Sequence, residues 1–298
     1  MLRVSKPVIS VGNLTVGGTG KTPVTLALAR LLTEQGKKVG IVSRNYKAAS
    51  SGISQVDPKR VDAATWYGDE PFLLARELPG VAVFVGPQKS QTAEWALLQR
   101  PDLDLLIIDD GFQHRRLARD LDLVLVDATD AGTFDPWPVG RGRENERGLV
   151  RANLILVTKT NWVPRAEVDR IRERLPKSVP VIEVEFETIW PELRAETKFG
   201  AFAGIARPEV FFELVKKKYV GQMMATWAFA DHQNYGSVEL APLRDFLAQD
   251  PDRLLLTTEK DAIKILEIEL RDRLRVVGLE AHFRQKESLL EKLHAVVG

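Results

Sequence analysis

Apolar residues arrive along this chain in short uninterrupted runs, at 8–12, 39–43, 81–85, 103–110, 121–127 and 154–159. Between them lie stretches with helical spacing, one from Lys21 to about Glu34 and others beginning near Glu70 and Gln91. Runs that are apolar on both faces and separated by helices predict a mostly parallel sheet covered on both sides. In such sheets ligands sit beyond the carboxyl ends of the strands, so the polar residues that close each run are the ones to inspect.

After Pro180 the pattern changes. Residues 181–188 read as an extended ribbon, and Trp190-Pro191 marks a linker. A second set follows, with strands at 199–205, 222–229, 253–257 and 274–279 and helices at 208–218, 238–249 and 260–266. The tail 286–297 has the spacing of an amphipathic helix that could pack back on either lobe. The expected organisation is a core domain over 1–182, a hinge over 183–198 and a smaller α/β lobe over 199–298. Ligand clefts favour an interface of that kind.

The first run leads straight into Gly12-Asn13-Leu14-Thr15-Val16-Gly17-Gly18-Thr19-Gly20-Lys21-Thr22. A buried strand, a glycine-rich turn and a helix start are the parts of a phosphate-binding loop. Its glycines let successive N–H groups face phosphate oxygens, and the helix dipole favours the anion. Residues 15–22 are therefore the expected nucleotide contacts: Thr15, Val16, Gly17, Gly18, Thr19, Gly20, Lys21 and Thr22. Lys21 supplies a point charge, and the Thr22 hydroxyl suits Mg²⁺. Thr15 stands where the strict pattern has its first glycine, and the plainer alternative is a glycine turn with an incidental lysine. The fourth run ends in Asp109-Asp110. A carboxylate pair on a strand beside the loop delivers oxygen ligands to a hard divalent cation, or else caps the turn that follows. The fold expected is thus α/β and P-loop NTPase-like, with ATP and Mg²⁺ as ligands.

Composition sets the outer limits. Apolar residues make up 44% and charged ones 28%, as in an ordinary soluble globular protein. Lys and Arg number 42 against 41 Asp and Glu, a net charge of +1, so no bulk attraction to nucleic acid or anionic lipid follows. Cysteine is absent, which excludes disulfides, thiolate metal sites and cysteine nucleophiles and fits a reducing cytosol. No apolar run reaches the roughly 18 residues that a membrane span needs.

Asp-Asp-Gly-Phe-Gln-His-Arg at 109–115, together with Val-Gly-Asn-Leu-Thr-Val-Gly-Gly-Thr-Gly-Lys-Thr-Pro at 11–23, resembles the tetraacyldisaccharide 4′-kinase family. Further matches lie in order: Ser43-Arg44 with Tyr46-Lys47, Gly68-Asp69-Glu70-Pro71, Arg143-Glu144, Asp231-His232, and Thr257-Thr258 with Lys260-Asp261. The resemblance implies an ATP-dependent kinase acting on the 4′-hydroxyl of an acylated glucosamine disaccharide 1-phosphate, a lipid A precursor. It implies a monomer in peripheral contact with the cytoplasmic face of a bacterial inner membrane. Asp69 corresponds to the family's catalytic base, His232 to its partner from the second lobe, and Lys21 to the cation on the transferred phosphate. Asp109, Asp110 and Glu144 look like the metal-site carboxylates, with Thr22 beside them. Arg44, Tyr46, Gln113, His114, Arg115 and Arg143 are the substrate contacts that the resemblance implies, the three arginines as phosphate clamps.

The chain also departs from the family pattern. Asn45 replaces a usual glycine, and asparagine tolerates a left-handed backbone better than most residues. Asn145 follows Arg143-Glu144 where proline is usual. Family members typically begin with a further hydrophobic segment, whereas this sequence starts almost at its first strand. Either it meets the membrane by other means, with Lys216-Lys217-Lys218 as a candidate patch or merely a solvated helix end, or the segment is missing from the sequence.

The rival reading is a P-loop regulatory ATPase or GTPase of the partitioning or metal-insertion type. Thr158-Lys159-Thr160-Asn161 resembles the guanine-reading Thr-Lys-x-Asp, but Asn161 replaces the aspartate. Val16 stands where partitioning ATPases carry lysine. Both differences argue for transfer rather than regulation.

Overall fold

The computed structural model describes residues 1–15, 18–45, 48–130, 134, 142–144 and 146–298. The strands are β1 (Val8–Asn13), β2 (Val39–Ser43), β3 (Ser54–Gln55), β4 (Ala82–Val85), β5 (Leu105–Asp109) and β6 (Leu121–Asp127). They continue with β7 (Leu154–Thr158), β8 (Val181–Ile189), β9 (Phe199–Ala203), β10 (Met223–Ala228), β11 (Leu254–Thr258) and β12 (Leu274–Phe283). The helices of the first half are α1 (Lys21–Glu34), α2 (Ala63–Tyr67), α3 (Asp69–Glu77), α4 (Lys89–Gln99) and α5 (Arg165–Arg174). Those of the second are α6 (Pro208–Lys218), α7 (Ser237–Ala248), α8 (Glu259–Ala262), α9 (Ile268–Asp272) and α10 (Lys286–Val297).

Among the described residues the strands form one 12-stranded sheet in the order β10-β9-β11-β12-β8-β7-β6-β1-β5-β2-β4-β3. β3 and β4 pair antiparallel, as do β12 and β8, and the remaining pairs are parallel. Strands β1, β5, β6 and β7 are buried along their whole length, which is why each reads as a continuous apolar run. On one face the cluster built on Ile9, Ile41 and Leu125 takes Leu28 and Leu32 from α1, Leu74 from α3 and Leu289 and Leu293 from α10. On the other face Ala93 and Ala96 of α4 pack beneath Val42 and Phe84, and Ile171 of α5 beneath Val124 and Val126. The smaller lobe repeats the sandwich, with α6 on one side of β9 and β11 and α7 on the other.

The expected hinge begins inside regular structure. Residues 181–184 of β8 pair with β7, and residues 184–189 then pair antiparallel with 278–283 of β12. The first half of β12 belongs to the other lobe, where 274–277 run beside β11. A two-stranded ribbon, and not a single linker, therefore joins the lobes, and residues 190–198 between β8 and β9 lack helix or strand. No helix among the described residues is long and apolar enough to cross a membrane.

The helix expected at 260–266 is shorter than its sequence suggested, ending at Ala262. Residues 63–67 and 165–174 are helical without having been marked by their pattern. Helix α5 buries only Val168 and Ile171, and α2 spans a single turn, so neither carries a helical apolar stripe.

Candidate active site

β1 delivers the loop, and its last residue organises it. Asn13 is fully buried, and its Nδ2 donates to Thr15 O at 2.7 Å and Thr19 Oγ1 at 2.9 Å, while Lys21 Nζ donates to its Oδ1 at 3.2 Å. Gly12 has to be glycine because the backbone of Phe112 crosses it, 2.7 Å from where a Cβ would sit. Gly20 opens α1 at φ +88°, with Phe186 of β8 pressed so close that a Cβ would lie 2.3 Å from its ring. Thr15, Thr19 and Thr22 are buried, whereas Gly18 is exposed. Val16, Gly17 and Tyr46, expected as ligand contacts, lie outside the described residues, as do Lys47 and Asn145.

Around Lys21 the carboxylates gather. Asp110 has φ 50°, a left-handed backbone that costs a non-glycine residue about 1–3 kcal/mol. Its Oδ1 lies 2.9 Å from Arg143 Nη1 and 3.7 Å from Lys21 Nζ. Burial pushes its carboxyl up, but Lys21, Lys89 and Arg143 outweigh that and hold it below the ordinary range. Lys89 is 1% exposed and donates from Nζ to Asp110 O at 2.5 Å, which helps to hold the unusual backbone. Burial lowers its own ammonium to about 8. Asp109, 3% exposed, accepts from Ser43 Oγ at 3.0 Å. Burial, with Glu70 and Asp110 adding to it against Lys89 and Lys21, pushes its carboxyl up to about 6. The buried Asp109 carboxyl, Asp110 and the Thr22 hydroxyl in the first turn of α1 offer oxygen donors of the kind a hard divalent cation takes. They fit Mg²⁺.

Glu144 is drawn elsewhere. Its Oε2 lies 2.7 Å from Arg151 and 3.7 Å from Arg115, so the arginines engage the carboxylate that was expected on the metal. Among the described residues no three acidic or histidine side chains gather into a preformed metal cage. Gln113 Nε2 donates to Asn13 O at 2.9 Å and its Oε1 accepts from Arg143 at 3.4 Å, tying the 109–115 segment to the loop. His114 is half-buried, and burial together with Lys89, Arg44, Arg119 and Arg116 lowers its pKa. Arg44 is exposed just beyond β2. Asn45 follows it, and its Nδ2 donates to Ser50 O at 2.7 Å.

The smaller lobe meets the N-terminus of α3. Asp69 begins that helix, and His232 Nδ1 lies 3.2 Å from its Oδ2, with His232 held at φ 62°. The next residue, Glu70, meets Lys260 Nζ at 2.5 Å. That ammonium, followed by Lys21 and His232, holds Glu70 down at about 2. Lys264, 4% exposed at its side chain, lies 3.5 Å from Asp69 Oδ2 and 3.1 Å from Asp261. Asp261 is fully buried and also accepts from Tyr235 OH, Thr258 Oγ1 and Gly204 N at 2.8, 2.8 and 3.0 Å. Three lysines of this site, Lys89, Lys260 and Lys264, had no assigned role in the sequence reading. Their one signal there was Lys260 within a matching Lys-Asp pair, because their partners come from distant elements.

The guanine-reading alternative fails on geometry. Asn161 donates from Nδ2 to Phe186 O and accepts from Phe186 N, both at 2.9 Å, so its side chain is committed to β8.

A family model described as tetraacyldisaccharide-1-P 4′-kinase matches residues 1–298. A tetraacyldisaccharide 4′-kinase of Bdellovibrio bacteriovorus is 39% identical over 276 residues, covering 88% of this chain and 80% of that protein. One from Anaeromyxobacter sp. (strain K) is 36% identical over 315 aligned positions, covering 97% and 81%. Among solved structures, LpxK from Aquifex aeolicus in complex with ATP superposes with a TM-score of 0.79 at 27% identity, covering 100% of this chain and 90% of that one.

Proposed function

The chain belongs to the tetraacyldisaccharide-1-P 4′-kinase family, and from that premise we propose how its residues carry the reaction. It is a kinase that uses ATP to phosphorylate the 4′-hydroxyl of a tetraacyldisaccharide 1-phosphate, a lipid A precursor. In phosphoryl transfer the protein mainly positions groups and neutralises charge. The amides of the loop and Lys21 hold the β- and γ-phosphates of ATP. Thr22, Asp109 and Asp110 would hold Mg²⁺, which when bound offsets charge on the phosphate oxygens.

Asp69 is the base. The 4′-hydroxyl gives its proton to the Asp69 carboxylate as its oxygen bonds to the γ-phosphorus, the bond to the bridging β–γ oxygen breaks, and ADP leaves. His232 orients Asp69 through the Nδ1···Oδ2 contact, with Lys264 as a fixed positive neighbour. The observation that carries this reading is the 3.2 Å approach of His232 to Asp69 from the opposite lobe, beside a Glu70 that feels the charge of Lys21. Arg44, Arg115 and Arg143, with Gln113, His114 and Tyr46, are the candidate contacts to the acceptor. The core, which includes α10, and the lobe over 199–277 then close on one another with each turnover.

Incubation with ATP, Mg²⁺ and a tetraacyldisaccharide 1-phosphate tests the reaction. A product heavier by one phosphate in the mass spectrum, with ATP consumed only when the acceptor is present, is expected. Rapid ATP hydrolysis without acceptor and without that product would instead indicate a regulatory NTPase. An acylated acceptor further supports work in peripheral contact with the cytoplasmic face of the inner membrane, with a monomer as the acting unit proposed. Flotation should show weak, reversible binding to anionic vesicles, and carbonate-resistant association would overturn the peripheral assignment.

A further inference from the structure

We propose that the turn after β7, residues 158–161, orients the amides of the phosphate loop and ties that loop to the ribbon carrying the smaller lobe. Lys159 is 5% exposed, sits at φ 59° and forms a buried 2.5 Å pair with Asp127 Oδ2. The same ammonium donates to Gly18 O at 2.8 Å, and the fully buried Thr158 donates from Oγ1 to Thr19 O at 3.0 Å. In a trans peptide the carbonyl and the following N–H point in opposite directions. Drawing the carbonyls of Gly18 and Thr19 down onto the turn therefore aims the N–H groups of Thr19 and Gly20 the other way, into the phosphate cradle. A donor aimed in advance costs no reorganisation when the anion arrives.

The other end of the turn reaches the ribbon. β7 ceases to pair with β8 at Val184, and two residues further on the Asn161 carboxamide takes over the ladder with its two 2.9 Å bonds to Phe186. Trp162 Nε1 adds a third bond to Phe186 O at 3.1 Å. Phe186 in turn presses its ring on Gly20 of the loop. The loop, the turn and the ribbon make a closed circuit of contacts, so ordering the loop around phosphate fixes Phe186, and through it the strand that leads to the second lobe. Thr158, Lys159 and Asn161 are positioning residues on this account. The inference rests on the nucleotide reading of the loop and needs no lipid acceptor.

The chain has no cysteine, so one introduced at Leu98 and one at Val220, both exposed and in different lobes, can carry spin labels. Pulsed dipolar distances with and without Mg²⁺ and a non-hydrolysable ATP analogue give the readout. In the labelled parent the interlobe distance distribution should shift or narrow on binding. Asn161→Ala should bind the analogue within about threefold of the parent yet lose that response, whereas Lys159→Met should weaken analogue binding by about tenfold or more. If Lys159→Met leaves Asp127 unpaired and fails to fold, Lys159→Met with Asp127→Asn removes both charges and carries the same expectation. A parent that binds without any interlobe response, an Asn161→Ala protein that retains it, or a folded Lys159 variant with parental affinity would overturn the proposal. Failure of the kinase reading would show differently, as normal binding and distances with no phosphorylated product.

Discussion

Asp69 and His232 come from elements 163 positions apart in the chain, so their 3.2 Å contact exists only when the two lobes are docked. If they act as one unit, each alanine substitution should lower the turnover rate by about 10²-fold or more with little effect on ATP affinity. The double variant should lose far less than the product of the two losses. Rates for all four proteins at saturating Mg²⁺-ATP decide it, and strictly multiplicative losses would dissolve the pair. Both residues were legible in the sequence through short family motifs. What the motifs did not carry is the support beneath them, where Lys264 lies between Asp69 and Asp261 and Lys89 props the backbone of Asp110. A lysine's partner across the fold leaves no mark on the residues flanking it. Glu144 was likewise plain in its motif, whereas its ion pairs with Arg151 and Arg115 were not.

At the scale of elements, legibility followed burial. Strands buried on both faces announced themselves as apolar runs, whereas the polar α5 and the one-turn α2 did not. The joint between β1 and α1 is where local rules bind most tightly. Gly20 needs φ +88° and has Phe186 where a side chain would go. Gly20→Ala should therefore lower stability by about 1–3 kcal/mol and weaken ATP binding as well. Urea unfolding checks the first part and titration with ATP the second. An unchanged midpoint with parental affinity would mean that the loop relaxes freely, contrary to the packing described.

Across the whole molecule, the α3 N-terminus is where the lobes meet through charge. Glu70 sits at about 2, below its ordinary 4.5, because Lys260 of the other lobe faces it. A carboxyl lowered on folding contributes stability that is fully present above its unfolded value and is lost as pH falls through the folded one. Glu70→Gln should thus lower stability by about 1 kcal/mol near neutral pH, the pair being partly exposed. The difference from the parent should shrink as pH drops from about 4.5 toward about 2. Urea midpoints measured along that series test it, and a difference independent of pH would remove the ion pair from the interlobe contact. The ribbon has its own implication for how the chain is assembled. Ile189 of β8 and Gly278 of β12 face each other as the outermost pair of that antiparallel ladder, and α10 follows with its leucines in the larger lobe's core. Everything from Trp190 to Val277 is in effect an insertion at the tip of a β-hairpin. A chain joining Ile189 to Gly278 through a short turn would keep every β-strand of the nucleotide-binding body while losing His232, Lys260 and Lys264. The chain thus passes between the nucleotide-binding body and the segment that holds His232 at two points, both on this one ladder.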